Sequence, residues 1–133
     1  MTKERLKNYR AMLKEKSAIE RQITAIETTL LRPKVQRMSH TPSGPSKGNA
    51  MEDLAVRHME LRDLYMDKLA QMDDELRTIE RDIDMLPPAE RLLLRLRYIH
   101  GLSWEKVCVE MAYSWKQVHR IHAKALESLR TQE

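Results

Sequence analysis

Apolar residues recur at three- and four-residue steps over two long stretches of the chain. In residues 3–31 the repeat runs from Tyr9 to Leu30 without a Pro or Gly, and Lys16 interrupts it. In residues 51–86 the same spacing returns. Because this spacing places apolar side chains on one face of an α-helix, the pattern predicts two long amphipathic helices. Lys16 would then need a partner acid, or its stem would have to extend along the apolar face.

The segment between these helices, residues 32–50, has a different composition. It contains three Pro, two Gly and four basic residues, and it has no acidic residue. Pro and Gly break regular structure, so we expect a loop. This basic loop is either a solvated connector or a flexible segment that contacts phosphate groups.

Charge and length indicate how the two helices pair. Residues 1–31 carry a net charge of +3, and residues 51–86 carry a net charge of −6. The connector lets them fold back, so residues 1–86 are predicted to form an antiparallel helical hairpin arm. A lone hairpin buries little apolar surface, and we therefore expect the arm to pair again in a homodimer. The alternative is that the apolar stripes form half of a compact bundle with the C-terminal helices.

Residues 87–133 predict a separate domain of three short helices. The first helix should begin at Pro88 or Ala89, because Pro is well placed in the first turn of a helix. It should run to about His100, where Gly101 stops it as a left-handed cap would.

Capping residues mark the second and third of these helices. Ser103 can cap a helix that runs to Met111. Ser114 with Gln117 fits a capping box, so the last helix should begin at this serine. Between the two helices only a short turn remains.

The last helix divides into a buried face and an exposed face. The predicted buried face comprises Val118, Ile121, Ala125, Leu126 and Leu129. Two helices joined by a tight turn, with polar, basic and aromatic residues early in the second, are the layout of a helix-turn-helix DNA reader. The candidate DNA-binding residues are Ser114, Trp115, Lys116, Gln117, His119, Arg120 and Lys124.

These side chains have the chemistry for reading duplex DNA. Arg120 can donate two hydrogen bonds to guanine, and His119 can donate or accept one. Trp115 can pack on a thymine methyl group or on the sugar-phosphate wall, while Lys116 and Lys124 can hold phosphate groups. The alternatives are that Trp115 covers the domain core and that Lys116 is an ordinary solvated charge.

The composition also bears on the partner, the redox compartment and a possible metal site. The net charge of +4 permits a nucleic-acid partner. The single cysteine, Cys108, excludes an internal disulfide and fits a structural role in a reducing compartment. His119 and His122 stand three residues apart, but without a third ligand we expect no metal site, and we expect no cofactor.

The chain also lacks the patterns of membrane proteins and enzymes. No apolar run approaches the roughly 18 residues of a membrane span, and the N-terminus has no signal-peptide centre. We therefore expect a soluble cytoplasmic protein with no membrane partner. Neither a phosphate-binding Gly loop nor a nucleophile–base pair is recognisable, so we do not expect an enzyme.

The C-terminal residues also resemble a known family. The stretch LPPAERLLLRLRYIHGLSWEKVCVEMAYSWKQVHRIHAKALESL, about 44 of the 133 residues, is similar to region four of the sigma-70 family. That region has an L-R-x-R-Y-like first helix, a G-L-S start to the second helix and a third helix that ends A-K-A-L. The upstream hairpin and loop resemble small phage-encoded sigma-like regulators of the ArpU and RinA type.

The resemblance implies a transcriptional regulator that binds promoter DNA. Trp115, Lys116, His119 and Arg120 stand where the sigma domain reads the promoter. The resemblance also implies docking on RNA polymerase through apolar residues of the first two C-terminal helices. The common turn glycine is Ala112 here, and a left-handed non-Gly residue costs roughly 1 kcal/mol, so we expect a reshaped turn. The sigma region that melts DNA has no counterpart, so the chain should not replace a full sigma factor.

We therefore expect a sequence-specific regulator of transcription that binds promoter or operator DNA, and in particular a phage late-gene activator that acts with the RNA polymerase of a bacterial host. One alternative is a DNA-recognition subunit of phage packaging, similar to a small terminase subunit. Another is a sigma-like protein that binds RNA polymerase without reading DNA.

Overall fold

Helices form nearly all of the part of the chain that the structure describes. The structure is a computed structural model, and it describes residues 3–32 and 46–132, with the backbone only for residues 46–48. The α-helices in these ranges are α1 (Lys3–Leu30), α2 (Ser46–Ile83), α3 (Pro88–Leu94), α4 (Trp104–Met111) and α5 (Trp115–Thr131). No strand occurs in either range, which confirms the predicted all-α class.

The start of α2 corrects one prediction. We expected residues 32–50 to form a loop, but α2 begins at Ser46, so residues 46–50 are helical. One Gly costs a helix only about 1 kcal/mol, and a helix that is already nucleated extends more easily than a new one forms. Residues 33–45, which hold most of the predicted basic loop, lie outside the described residues.

The chain divides into two compact units, and each unit draws on both long helices. Unit 1 comprises Met1–Lys14 and Ala70–Glu133, and unit 2 comprises Glu15–Leu69. The predicted boundary at residue 87 therefore falls inside unit 1.

Unit 2 pairs the part of α1 from Glu15 onward with the part of α2 up to Leu69. Tyr65 donates a hydrogen bond from its hydroxyl to Glu20 Oε1 at 2.8 Å. His58 Nε2 lies 2.9 Å from Glu27 Oε1. Since residue numbers rise along α1 as they fall along α2, the two segments are antiparallel within this unit. Lys16, which interrupts the apolar stripe, meets its expected acid in Glu20 at 3.4 Å.

Unit 1 has a hydrophobic core built from distant parts of the sequence. Leu6 of α1 and Ile79 of α2 belong to the same cluster as Leu93 of α3, Val107 of α4 and Val118 of α5. All five side chains are 0% exposed. The beginning of α1 and the end of α2 therefore pack with the C-terminal helices in this unit, as the compact-bundle alternative describes.

The first C-terminal helix begins where the sequence predicts and ends in an unexpected way. Pro88 is the first residue of α3. After α3 the helix widens into a π-helical turn, Arg95–Ile99, in which His100 N donates to Arg95 O at 2.8 Å. Gly101 then adopts a φ of +71°, which confirms the predicted left-handed cap. The apolar spacing alone does not distinguish a π turn from a regular one.

Three residues, Ala112, Tyr113 and the capping Ser114, connect α4 to α5. Ser103 caps α4, as predicted, by accepting a hydrogen bond from Lys106 N at 3.3 Å. Ala112 adopts the left-handed conformation, with φ 57° and ψ 39°. The expectation of a reshaped turn is therefore wrong. Tyr113 N donates to Cys108 O at 3.2 Å, and this helix-ending hydrogen bond helps to offset the backbone strain.

Candidate nucleic-acid interface

A reciprocal cap fixes the start of α5. Ser114 Oγ accepts a hydrogen bond from Gln117 N at 3.2 Å, and Ser114 N donates to Gln117 Oε1 at 3.1 Å. These bonds satisfy two backbone donors that a helix start leaves free. The predicted capping box is confirmed, and it gives two of the candidate site residues a structural role in holding the first turn.

Beyond the cap, α5 presents an indole and several cations to solvent. Trp115 is 53% exposed. Lys116, Arg120 and Lys124 are also exposed. The buried residues of the same helix are Val118, His122, Ala125 and Leu129. Because the buried face anchors α5 in the core of unit 1, the exposed side chains project from a fixed helix.

His119 lies between two indole rings. Its ring centroid is 4.6 Å from that of Trp104 and 4.4 Å from that of Trp115. Its Nε2 is buried and has no hydrogen-bond partner among the described residues. One ring nitrogen of His119, which we expected to contact a base, is therefore buried in the protein. The ring itself packs against Trp115.

A buried polar pair lies at the inner end of an aromatic row formed by the rings of Trp115, His119, Trp104, His122 and Tyr98. Tyr98 Oη and His122 Nε2 are 2.7 Å apart, and Trp104 meets His122 edge-on at 4.7 Å. Burial, followed by the positive charge of Lys3, holds the pKa of His122 at about 4, well below its usual 6.5. Burial also raises the pKa of the Tyr98 phenol. Both groups are therefore neutral near pH 7, and they share one hydrogen bond inside the protein.

Arg97 belongs to the π turn, and its side chain packs against the aromatic row. Its guanidinium carbon lies 4.4 Å from the ring centroid of Trp104, a cation–π contact. Its Nη1 donates to Leu102 O at 3.0 Å. Burial lowers the pKa of Arg97, and the neighbouring charge of Arg10 lowers it further. The Arg97 guanidinium remains charged in this setting, and an approaching anion would stabilise that charge.

Sequence reasoning missed two residues of this surface. Tyr113, which it treated only as part of the turn, is 39% exposed and directly precedes the capping serine. Arg97 reaches the aromatic row through the π turn, which no spacing rule predicts. The sequence did contain a signal for Tyr113, because this aromatic residue stands next to the capping Ser114 and shortly before Trp115 and Lys116.

The described residues offer little other chemistry. Within residues 3–32 and 46–132, no group of three His, Cys, Asp or Glu side chains is placed to hold a metal ion. Cys108 is a half-buried thiol packed against the core of unit 1. None of the helices described is both long enough and apolar enough to cross a membrane.

The fold and the surface together define an all-helical protein with an exposed basic and aromatic helix face. The chain belongs to the family described as "Protein of unknown function (DUF722)", whose model matches residues 6–131. No curated protein and no solved structure matches the chain. The family relationship covers both units and carries no assigned activity.

Proposed function

We propose that the protein is a sequence-specific regulator of transcription that binds double-stranded DNA. In this proposal α4, the turn at Ala112 and α5 form a helix-turn-helix motif, and α5 lies in the major groove. The observation that carries the proposal is the exposed face of α5, where an indole and three cations project from a helix anchored by its cap and its buried side. The resemblance to sigma region four, and to small phage regulators in bacteria, supports the same reading.

In this proposal the site residues have different roles. Arg120 reads a base edge, since a guanidinium can donate two hydrogen bonds to guanine. Lys116 and Lys124 hold phosphates on either side. Trp115 packs on the DNA wall or a thymine methyl group, and His119 acts as a positioning residue that fixes the indole.

Selection from a random duplex pool at near-physiological salt tests this proposal. The wild-type protein should enrich one sequence motif, and the Lys116→Ala/Arg120→Ala variant should not. A control that removes two exposed cations of α2, Arg77→Ala/Arg81→Ala, should enrich the same motif as the wild type. No enrichment by the wild-type protein would overturn the proposal.

Single substitutions separate base contacts from phosphate contacts. Arg120→Ala should cost about 1–3 kcal/mol and relax the preference at one base position. Lys124→Ala should weaken binding to all sequences alike and reduce the salt dependence by about one phosphate contact.

The proposed regulator acts as a homodimer. The part of α2 that lies in unit 2 exposes several large apolar side chains, among them Val56 (54%), Met59 (66%) and Met66 (62%). A second copy of the chain would cover such a surface. Sedimentation equilibrium at micromolar concentration should give the dimer mass, and the monomer mass there would contradict this part of the proposal.

A second candidate function is binding to RNA polymerase without reading DNA. It is favoured by exposed apolar residues on the first two C-terminal helices, Leu92 of α3 (46%) and Val109 of α4 (80%). Leu92→Ser/Val109→Ser should abolish retention on immobilised bacterial RNA polymerase, whereas Lys116→Ala/Arg120→Ala should leave that retention unchanged. If the polymerase is retained but no duplex is selected, this candidate replaces the first.

A further inference from the structure

A second concentration of positive charge lies in unit 1, outside the candidate DNA-binding residues. It surrounds a cleft of about 370 Å³. The cations that line the cleft are Lys3, Lys7, Arg10 and Lys14 of α1 together with Arg97 of the π turn. No Asp or Glu is among the lining residues of this cleft, whose remaining walls are Ala11 and aromatic or imidazole side chains.

The four cations of α1 form one row. They are spaced by three and four residues, so they share a helix face. Their span of eleven residue steps is about 16 Å at 1.5 Å per residue. Leu6 and Tyr9, which are 0% and 4% exposed, bury another face of the same helix and fix its rotation. The row is thus held toward the cleft by the core of unit 1.

The two arginines of the cleft are oriented by carbonyl groups. Arg10 Nε donates to Arg97 O at 3.3 Å, and Arg10 Nη2 donates to Gly101 O at 3.5 Å. Arg97 Nε is buried and has no partner among the described residues. Carbonyl oxygens hold a guanidinium in place but do not neutralise it, so the charge of the pair stays available to an anion.

Two pKa shifts agree with the excess of cations around the cleft, although burial is the larger cause of each. The pKa of Arg97 is lowered by burial and then by the charge of Arg10. The pKa of His122, which also lines the cleft, is lowered by burial and then by several cations that include Lys3. Elsewhere on α1, by contrast, Arg5 pairs with Glu75. Among the described residues, none of the four α1 cations of the cleft has such an ion pair.

We infer that this cleft binds the phosphodiester backbone of the duplex whose bases α5 reads, so that α1 is a second DNA-contacting element. The inference rests on the proposed function. A single phosphate would meet only one or two of these cations. A row about 16 Å long instead matches several successive phosphates of one strand, which are spaced about 3.4 Å apart along the helix axis.

The test compares two variants that lose the same charge. Lys3→Gln/Lys7→Gln/Lys14→Gln removes three exposed cations of the cleft. The matched control, Arg21→Gln/Arg62→Gln/Arg81→Gln, removes three exposed cations of α1 and α2 that do not line it. Affinity for a random-sequence duplex and for the duplex selected by the wild-type protein is measured across a salt series.

The expected result is a sequence-independent loss in the cleft variant alone. Each lost phosphate contact lowers the salt slope by about 0.9, so the wild-type advantage over the variant should shrink about 40-fold between 50 and 200 mM salt. The selected motif should not change. If the cleft variant matches the control while Lys116→Ala/Arg120→Ala loses the motif, the inference is overturned and the proposed function stands.

The other outcomes are equally distinct. If the cleft variant loses duplex affinity but the wild-type protein shows no sequence preference, the cleft binds duplex DNA but α5 reads no bases, which overturns the proposed function and the inference as stated. If the wild-type protein binds no duplex, both fail. Thermal stabilisation of the wild-type protein by tripolyphosphate, without duplex binding, would assign the cleft to a small anion and overturn the inference as stated.

Discussion

The left-handed alanine between α4 and α5 should make one substitution stabilising that is normally destabilising. Ala112 has φ 57° and ψ 39°, a region that costs an L-residue about 1–2 kcal/mol. Its side chain is exposed, so its removal leaves no cavity. Gly relieves the strain but adds about 0.4–1 kcal/mol of unfolded-state entropy. The Ala112→Gly variant should therefore be more stable by about 0.5–1 kcal/mol.

Ala123 provides a control with the same chemical change. It is exposed in the interior of α5, where replacing Ala by Gly costs about 1 kcal/mol. The two substitutions should thus shift the free energy of unfolding in opposite directions. Other Ala-to-Gly effects that do not depend on the backbone angle are common to both variants.

Urea unfolding followed by tryptophan fluorescence measures this difference. Both tryptophans of the chain, Trp104 and Trp115, lie in unit 1, so the signal reports the unit that contains the turn. Ala112→Gly should raise the unfolding midpoint and Ala123→Gly should lower it, with an unchanged denaturant slope. A midpoint lowered to the same extent by both would refute the left-handed assignment of the turn.

Three further predictions concern the same unit. The pKa of His122 is near 6.5 in the unfolded chain and about 4 in the folded protein. The free energy of unfolding should therefore be highest above about pH 6.5 and should fall by about 3 kcal/mol as the pH is lowered to about 4. His122→Gln should remove this slope in urea unfolding across that range, whereas the exposed His100→Gln should keep it. Ser114→Ala removes the helix cap and should lower the free energy of unfolding by about 1 kcal/mol, while Ser17→Ala on the exposed face of α1 should not lower it. Gly101→Ala should cost about 1–2 kcal/mol because alanine must adopt a φ of +71°, and thermal unfolding would detect it.

Local signals in the sequence predicted local structure well. The caps at Ser103 and Ser114 and the stop at Gly101 each depend on a few neighbouring residues, and the structure contains all three. The start of α2 was missed because composition favoured a loop where a long helix tolerates one Gly.

Long-range packing was beyond the same reasoning. Arg10 donates to the carbonyl of Arg97, which lies in the last turn before the helical segment ends at Ile99, where carbonyl groups lack partners within the helix. Neither the turn nor the contact has a sequence signature. His122 was discussed only as a possible metal ligand and rejected as one, although its place beside the apolar positions of α5 makes it a buried partner of Tyr98. The spacing of the basic row of α1 was present in the sequence but was not recognised, and its cleft depends on tertiary contacts.

The composition of the unit 1 core has a consequence for how the protein is made. Leu6 leaves the ribosome long before Leu129, which belongs to the same buried cluster but lies more than a hundred residues later in the sequence. Contacts between such distant residues slow folding, because a long loop of chain must be closed first. Unit 2, whose helices are adjacent in sequence, can form while translation continues. The apolar face of early α1 must therefore wait for α5, and during that interval it is a natural substrate for a chaperone.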